Sequence, residues 1–231
     1  MRFDPGAIGL SGWLFLFFHG TYVPWKAWRA RAQFGGSAAL PSRSAFYTSA
    51  MISLAMLLPI ALVVGFMHHM ELYPLAWPTA TGWLQAAFTL VAMLVPVWPR
   101  WRAAVARGDR RIFLFMPTGR KERSLWVALS GMAALVEETT YRGVMFSLLL
   151  WTSGSAVFAT LITAAVHGLA HAFQDRLSMG IVFLYGVLLQ MLALQSGSLY
   201  LPILVHFLFD VIAGFTYARL GQEGGDTQLV R

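Results

Sequence analysis

Apolar runs separated by short polar stretches divide the chain. They cover Ala7–Val23, Phe46–Met67, Thr81–Trp98, Leu125–Leu150, Val157–Phe173, Met179–Leu194 and Leu199–Arg219. A helix needs roughly 20 apolar residues to cross a hydrocarbon core about 30 Å thick, and these runs approach that length. The pattern predicts an all-α, polytopic membrane bundle of about seven transmembrane helices. It forms a single integral membrane domain over residues 1–231, with no soluble module. Pro59 predicts a bend in the second helix. The fourth runs unbroken to Leu150 or bends near Gly143. The first run has the length of a signal-peptide core. Met1-Arg2-Phe3-Asp4 is not a basic n-region, however, and no small-x-small cleavage site follows, so the run is expected as a retained first span.

The polar stretches set the orientation. Pro24–Arg43 carries Lys26, Arg29, Arg31 and Arg43 with no acid, and Gly35-Gly36-Ser37 and Pro41-Ser42 mark it as an irregular loop. His68–Ala80 has no Lys or Arg. Pro99–Ser124 carries Arg100, Arg102, Arg107, Arg110, Arg111, Arg120, Lys121 and Arg123 against Asp109 and Glu122. By the positive-inside rule the Lys26–Arg43 and Arg100–Arg123 loops face the cytoplasm of a bacterial cytoplasmic membrane. The tail Leu220–Arg231 is polar, Gly-rich and expected to be disordered. His19, near the end of the first run, is expected at the interface. His68 and His69, beside Glu71, are expected in solvent.

Composition agrees with a membrane solvent. Of 231 residues, 58% are hydrophobic and 12% charged, against about 25% charged in soluble domains. The absence of cysteine removes disulfides, thiolate metal sites and a cysteine nucleophile. The net charge of +7 sits in a few loops, so it reads as topology. Without a basic-aromatic RNA motif or a glycine-rich phosphate loop, nothing points to a nucleic-acid partner. The bilayer is the expected partner.

Against this background Val136-Glu137-Glu138-Thr139-Thr140-Tyr141-Arg142-Gly143 stands out. An ionisable side chain at the centre of a membrane helix costs about 2.5–3.5 kcal/mol. Glu137, Glu138 and Arg142 must therefore face a protein interior or a wet cavity. On a helix, Glu138 and Arg142 share a face at i, i+4 and form the natural pair. Glu137, rotated about 100°, has no local partner and is free to act as an acid or base. Further along, His167 and His171 share one face, as do His206 and Asp210. None of these groups suits lipid, so the three elements are expected to converge.

Two hydrolytic chemistries fit these residues. In one, Glu137 is a general base that activates water, His171 holds the water and His206 stabilises an oxyanion. In the other, His167 and His171 bind zinc with a third ligand and Glu137 is the base. Gly168 stands where the zinc-protease helix has a glutamate. A proton- or ion-coupled transporter would also bury Glu and His.

The same residues resemble the CPBP family (CAAX protease and bacteriocin-processing, also ABI) of intramembrane glutamate endopeptidases, which includes the type II CAAX prenyl endopeptidases. Glu137 to Gly143 looks like the Glu-Glu-x-x-x-Arg-Gly motif, and His167 to His171 resembles Phe-x-x-x-His. Gly197 to Asp210 resembles the pattern Gly-Ser-Leu, Pro-Ile and His-x-x-x-Asn/Asp. The resemblance covers about residues 125–214, taken as the catalytic core, with the spans at 7–98 accessory. It implies a peptidase without a cofactor or metal, acting on a peptide or membrane-protein substrate. Glu137 and His171 would activate water, and His206 with Asp210 would form the oxyanion site. Glu138 and Arg142 would brace the first motif. This chain departs from the family at His167, where Phe is usual, and at Asp210, where many members have Asn. An ionised Asp210 would repel an oxyanion, so it must be protonated or act by orienting His206.

Overall fold

The computed structural model describes residues 5–35, 40–74, 77–107 and 114–223. Expectations that fall on Gly36 and Ser37, on Asp109, Arg110 and Arg111, and on the tail from residue 224 lie outside the described residues. The described chain is all-α, with seven helical rods. The first joins α1 (Gly9–Phe17) through a π turn, Phe18–Tyr22, to α2 (Val23–Gly35). The second and third are α3 (Arg43–Met67) and α4 (Ala80–Ala106). The fourth joins α5 (Arg120–Glu137) through a longer π turn, Glu138–Met145, to α6 (Phe146–Ser153). The last three are α7 (Ala156–Ala170), α8 (Arg176–Ser196) and α9 (Tyr200–Glu223). Five rods are long and apolar enough to cross a membrane: Gly6–Arg31, Arg43–Met67, Ala80–Ala106, Arg176–Ser196 and Tyr200–Gln222.

Helix ends follow local chemistry. Ser42, Thr79, Ser155 and Asp175 cap α3, α4, α7 and α8 by accepting a backbone N–H three residues on. Such caps satisfy donors that the first helical turn leaves unpaired. Gly154 and Gly197 close α6 and α8 in the left-handed region, at φ 65° and 67°, where a side chain would strain the backbone. These two turns let successive rods reverse within a few residues.

Four expectations are corrected. The Pro24–Arg43 loop is helical as far as Gly35. Its cations cover aromatic rings one turn back: Lys26 over Tyr22, Arg29 over Trp25 and Arg31 over Trp28, at 5.2–6.0 Å. These pairs let a charged segment continue the rod. The Pro99–Ser124 loop is shorter than expected, because α4 runs through Pro96 and Pro99 to Ala106 and α5 begins at Arg120. Trp101 and Ala104 are buried on this extension, so an amphipathic face continues beneath the arginines. The tail is helical to Glu223, with Leu220 against the core. His19 lies buried in the first π turn rather than at an interface. Its Nδ1 is 3.1 Å from the Phe15 carbonyl and its ring lies between Phe15 and Phe18.

Three apolar clusters hold the rods together. Met93, Val97, Trp101, Leu189, Leu201 and Val205 join α4, α8 and α9. Ala61, Val64, Tyr141, Val144 and Leu148 join α3 to the long π turn and α6, with Ile8 and Phe15 of the first rod. Tyr47, Trp126 and Leu129 join α3 to α5. Large apolar side chains such as Leu10, Phe66, Leu84, Phe88 and Val157 point outward. A surface of this kind suits a lipid solvent, and the protein is an integral membrane protein.

Candidate active site

The site grows from the junction of α5 with the long π turn. Glu137 is the last residue of α5 and Glu138 the first of the turn. A π turn is wider than an α turn and often marks a functional position. Across this junction the two adjacent carboxylates enter different surroundings. The Glu137 side chain keeps 19% of its surface accessible, whereas Glu138 keeps none. Two neighbours hold the turn from behind. Leu72, from the loop before α4, sits where a Cβ on Gly143 would fall, 2.9 Å away. The hydroxyls of Tyr73 and Thr139 meet in a short hydrogen bond, and Thr139 also donates to the Leu135 carbonyl at 2.6 Å.

Glu138 is held by two cationic or proton-donating groups. His206 of α9 donates Nδ1–H to its Oε1 at 2.8 Å, and Arg142 Nη1 lies 3.2 Å from the same oxygen. A guanidinium and an imidazole thus share one buried carboxylate, which compensates charges that the interior would otherwise reject. Beside this pair α7 and α8 pack closely at Gly186, where a Cβ would stand 2.9 Å from the Ala164 Cβ.

Glu137 draws its partner from a different element. His167, in the last turn of α7, donates Nε2–H to Glu137 Oε2 at 2.8 Å. The Tyr141 ring covers the His167 ring at 4.6 Å. Gly168 lets α7 reach this position, since a Cβ there would stand 2.8 Å from the Met179 carbonyl of α8. The expectation that His167 and His171 share a helix face is corrected: α7 ends at Ala170, and His171 is the first residue beyond it. Its ring nevertheless stands edge-on to His167 at 4.9 Å. His171 donates Nδ1–H to the His167 carbonyl at 3.0 Å, leaving Nε2 as a lone-pair acceptor.

On the far side of Glu137, His206 Nε2 lies 4.0 Å from Glu137 Oε2 and 3.5 Å from Asp210 Oδ2. The Asp210 side chain is 28% accessible. The indole of Trp126 on α5 donates to the Asp210 carbonyl at 3.0 Å, so α5 and α9 are joined beside the site. The structure therefore brings together Glu137, Glu138, Arg142, His167, His171, His206 and Asp210. The i, i+4 pairs Glu138 with Arg142 and His206 with Asp210 were readable in the sequence. The cross-element pairs, Glu137 with His167 and Glu138 with His206, were not, and neither was the π turn.

This arrangement has two chemical capacities. Glu137, partly accessible, grouped with His171 and 4.0 Å from His206 Nε2, offers a proton acceptor with hydrogen-bonding groups nearby. Glu137, His167 and His171 also each bring one potential ligand atom within 4.8 Å of the others, a spacing a single metal ion could span. In the present arrangement His167 Nε2 faces Glu137 as a donor, so ligation through that nitrogen would require its proton to leave.

Outside the site, Asp175 at the start of α8 is a partly buried carboxylate. Burial pushes its pKa up, but the Ser178 backbone N–H, Arg100 and the Ser178 hydroxyl outweigh burial and hold it below the usual carboxylate value.

A family model described as type II CAAX prenyl endopeptidase Rce1-like matches residues 120–212, the segment that holds every site residue named above. A curated relative, an uncharacterized 24.3 kDa protein of Escherichia coli, is 34% identical over 80 residues. The aligned part is 32% of this chain and 36% of the relative, so the chain spans about a third of that protein's length. No solved structure matches. The match covers about two fifths of the chain, and over residues 120–212 the chain is similar to the type II CAAX prenyl endopeptidases.

Proposed function

We propose that the chain is a CAAX-type intramembrane endopeptidase that hydrolyses a peptide bond with water activated by Glu137 and His171. One observation carries this reading. Of two adjacent carboxylates, Glu138 is fully buried and held through one oxygen by Arg142 and His206, while Glu137 stays partly accessible beside three histidines.

Glu137 accepts a proton from water, and the water oxygen attacks the scissile carbonyl carbon. His171 Nε2 accepts the water's second hydrogen and fixes its direction. His167, donating to Glu137 Oε2, orients the base. His206, protonated on both nitrogens, donates Nδ1–H to Glu138 and Nε2–H to the developing oxyanion. Asp210 adds a donor there when it is neutral. The tetrahedral intermediate collapses as the proton held by Glu137 passes to the leaving amine. Stabilising the oxyanion with groups already in place avoids reorganisation at the moment of reaction.

Residues 125–214 act as the catalytic core in this reading and the spans at 7–98 as accessory elements. The basic loops face the cytoplasm. Substrates are peptides or membrane proteins.

The test is cleavage of candidate membrane peptides by purified protein, with and without prolonged chelation. Wild-type activity that survives chelation is the expected result; His167→Phe, which removes the group that orients Glu137, should lower the rate and leave the remainder insensitive to chelation. Activity lost on chelation and restored by zinc would replace this reading with a Glu137, His167 and His171 metal site. Proton-coupled transport in vesicles without cleavage would replace it with a transporter.

A further inference from the structure

The loop that delivers His171 is short, and its far end is held by a helix outside the matched segment. It runs from His171 at the end of α7 to Asp175 at the start of α8. At its near end the backbone N–H groups of His171 and Ala172 donate to the carbonyls of Gly168 and Leu169, at 3.1 and 3.0 Å. Across the loop, the Gln174 N–H donates to the His171 carbonyl at 3.0 Å. At the far end Asp175 caps α8, accepting the Ser178 N–H at 2.8 Å and the Ser178 hydroxyl at 2.9 Å. Arg100 of α4 closes the arrangement. Its Nη2 donates to Asp175 Oδ1 and Oδ2 at 3.0 and 2.9 Å and to Ser178 Oγ at 3.0 Å.

We propose that Arg100 and Asp175 are positioning residues for hydrolysis: α4 grips the start of α8 through this ion pair and thereby fixes the backbone that aims His171 at the water. The proposal rests on the hydrolase reading above, in which His171 Nε2 holds the water. His171 has left the helix, so the α7 hydrogen-bond ladder no longer fixes its place. The turn bonds, the bond from its ring to the His167 carbonyl and the Arg100 clamp do so instead. An error of about 1 Å in the placement of a reacting group can lower a rate by as much as about a hundredfold. The proposal also gives an accessory span a defined part in the chemistry. Arg100 precedes the matched segment of residues 120–212, yet its guanidinium holds a carboxylate four residues from His171.

The test separates the ion pair from the helix cap. Asp175→Asn keeps a good cap residue and removes the charge. Arg100→Gln removes the cation and leaves the cap untouched, while Arg100→Lys restores the charge. Two readouts are taken on the full-length protein in detergent or nanodiscs: amide hydrogen exchange over residues 171–178, and kcat and KM for a cleaved peptide.

Arg100→Gln and Asp175→Asn are expected to speed exchange in this segment and to lower kcat about tenfold, with KM changed less than about twofold. Arg100→Lys is expected to recover most of both. Unchanged exchange, or unchanged kcat in an active enzyme, would overturn the proposal and leave the hydrolase reading standing. A wild type that cleaves nothing, although exchange responds to the substitutions, would overturn the hydrolase reading and with it the role assigned to the clamp.

Discussion

Glu137 and Glu138 are neighbours in sequence and opposites in surroundings, and the difference decides what each can do. Glu138 neutralises Arg142 and anchors His206. Removing one partner of a buried ion pair typically costs about 3–5 kcal/mol. Glu138→Gln should therefore lower thermal stability and yield before it affects chemistry, as a melting curve in detergent would show. A variant as stable as the wild type would contradict that role. Asp210 is more accessible, and its Oδ2 is 3.5 Å from His206. Asp210→Asn keeps a donor near the oxyanion position, so initial rates should be preserved or raised. An inactive but folded Asp210→Asn would instead make Asp210 an ionised partner of His206. At this scale the sequence was partly legible. The spacing of Glu138 and Arg142 predicts their contact, because helix geometry fixes it. Nothing in spacing reveals that His167 pairs with Glu137 or His206 with Glu138, since those contacts depend on how separate rods meet.

Among the elements, the long π turn and α7 do most to shape the site. The π turn has no hydrophobic period of its own, so a reading based on apolar runs passes over it. Its presence agrees with the close contacts that enclose it: Leu72 against Gly143 and Tyr73 on Thr139. Helix existence was legible from the apolar runs, whereas helix ends were not. The end of α4 continues through arginine-rich sequence because Trp101 and Ala104 still pack inward, and α2 does so with its cations lying over aromatic rings one turn back. α7 was overestimated at its C-terminal end, where the chain turns at His171 to deliver its imidazole. Its contact with α8 offers a clean test. In Gly168→Ala the new Cβ would meet the Met179 carbonyl at 2.8 Å, a backbone atom that no rotamer change can move. The two helices must part, carrying His167 away from Glu137. Overpacking of this kind typically costs about 1–3 kcal/mol. The expected outcome is a lower melting temperature together with a lower kcat. Wild-type values for both would show that the α7–α8 approach does not set the site.

Across the whole molecule, charge and helix length together set how the site is reached. The Arg43–Glu122 and Arg100–Asp175 pairs lie at the end of the bundle where α3, α5 and α8 begin and α4 finishes. At the opposite end Tyr73 lies against Tyr200 and its hydroxyl bonds Thr139 of the π turn. α7 has 15 residues, about 22 Å of helix at 1.5 Å per residue, shorter than a hydrocarbon core of about 30 Å. It runs toward the basic end, and Glu137 meets His167 in its last turn. The most direct measurement is the rate of peptide cleavage by purified Glu137→Gln beside the wild type, with folding of both checked by thermal unfolding. Gln keeps the shape and removes the proton acceptor. General-base catalysis contributes about 10²–10⁴-fold, so the rate should fall by that factor in a folded protein. A folded Glu137→Gln that cleaves at the wild-type rate would contradict the account.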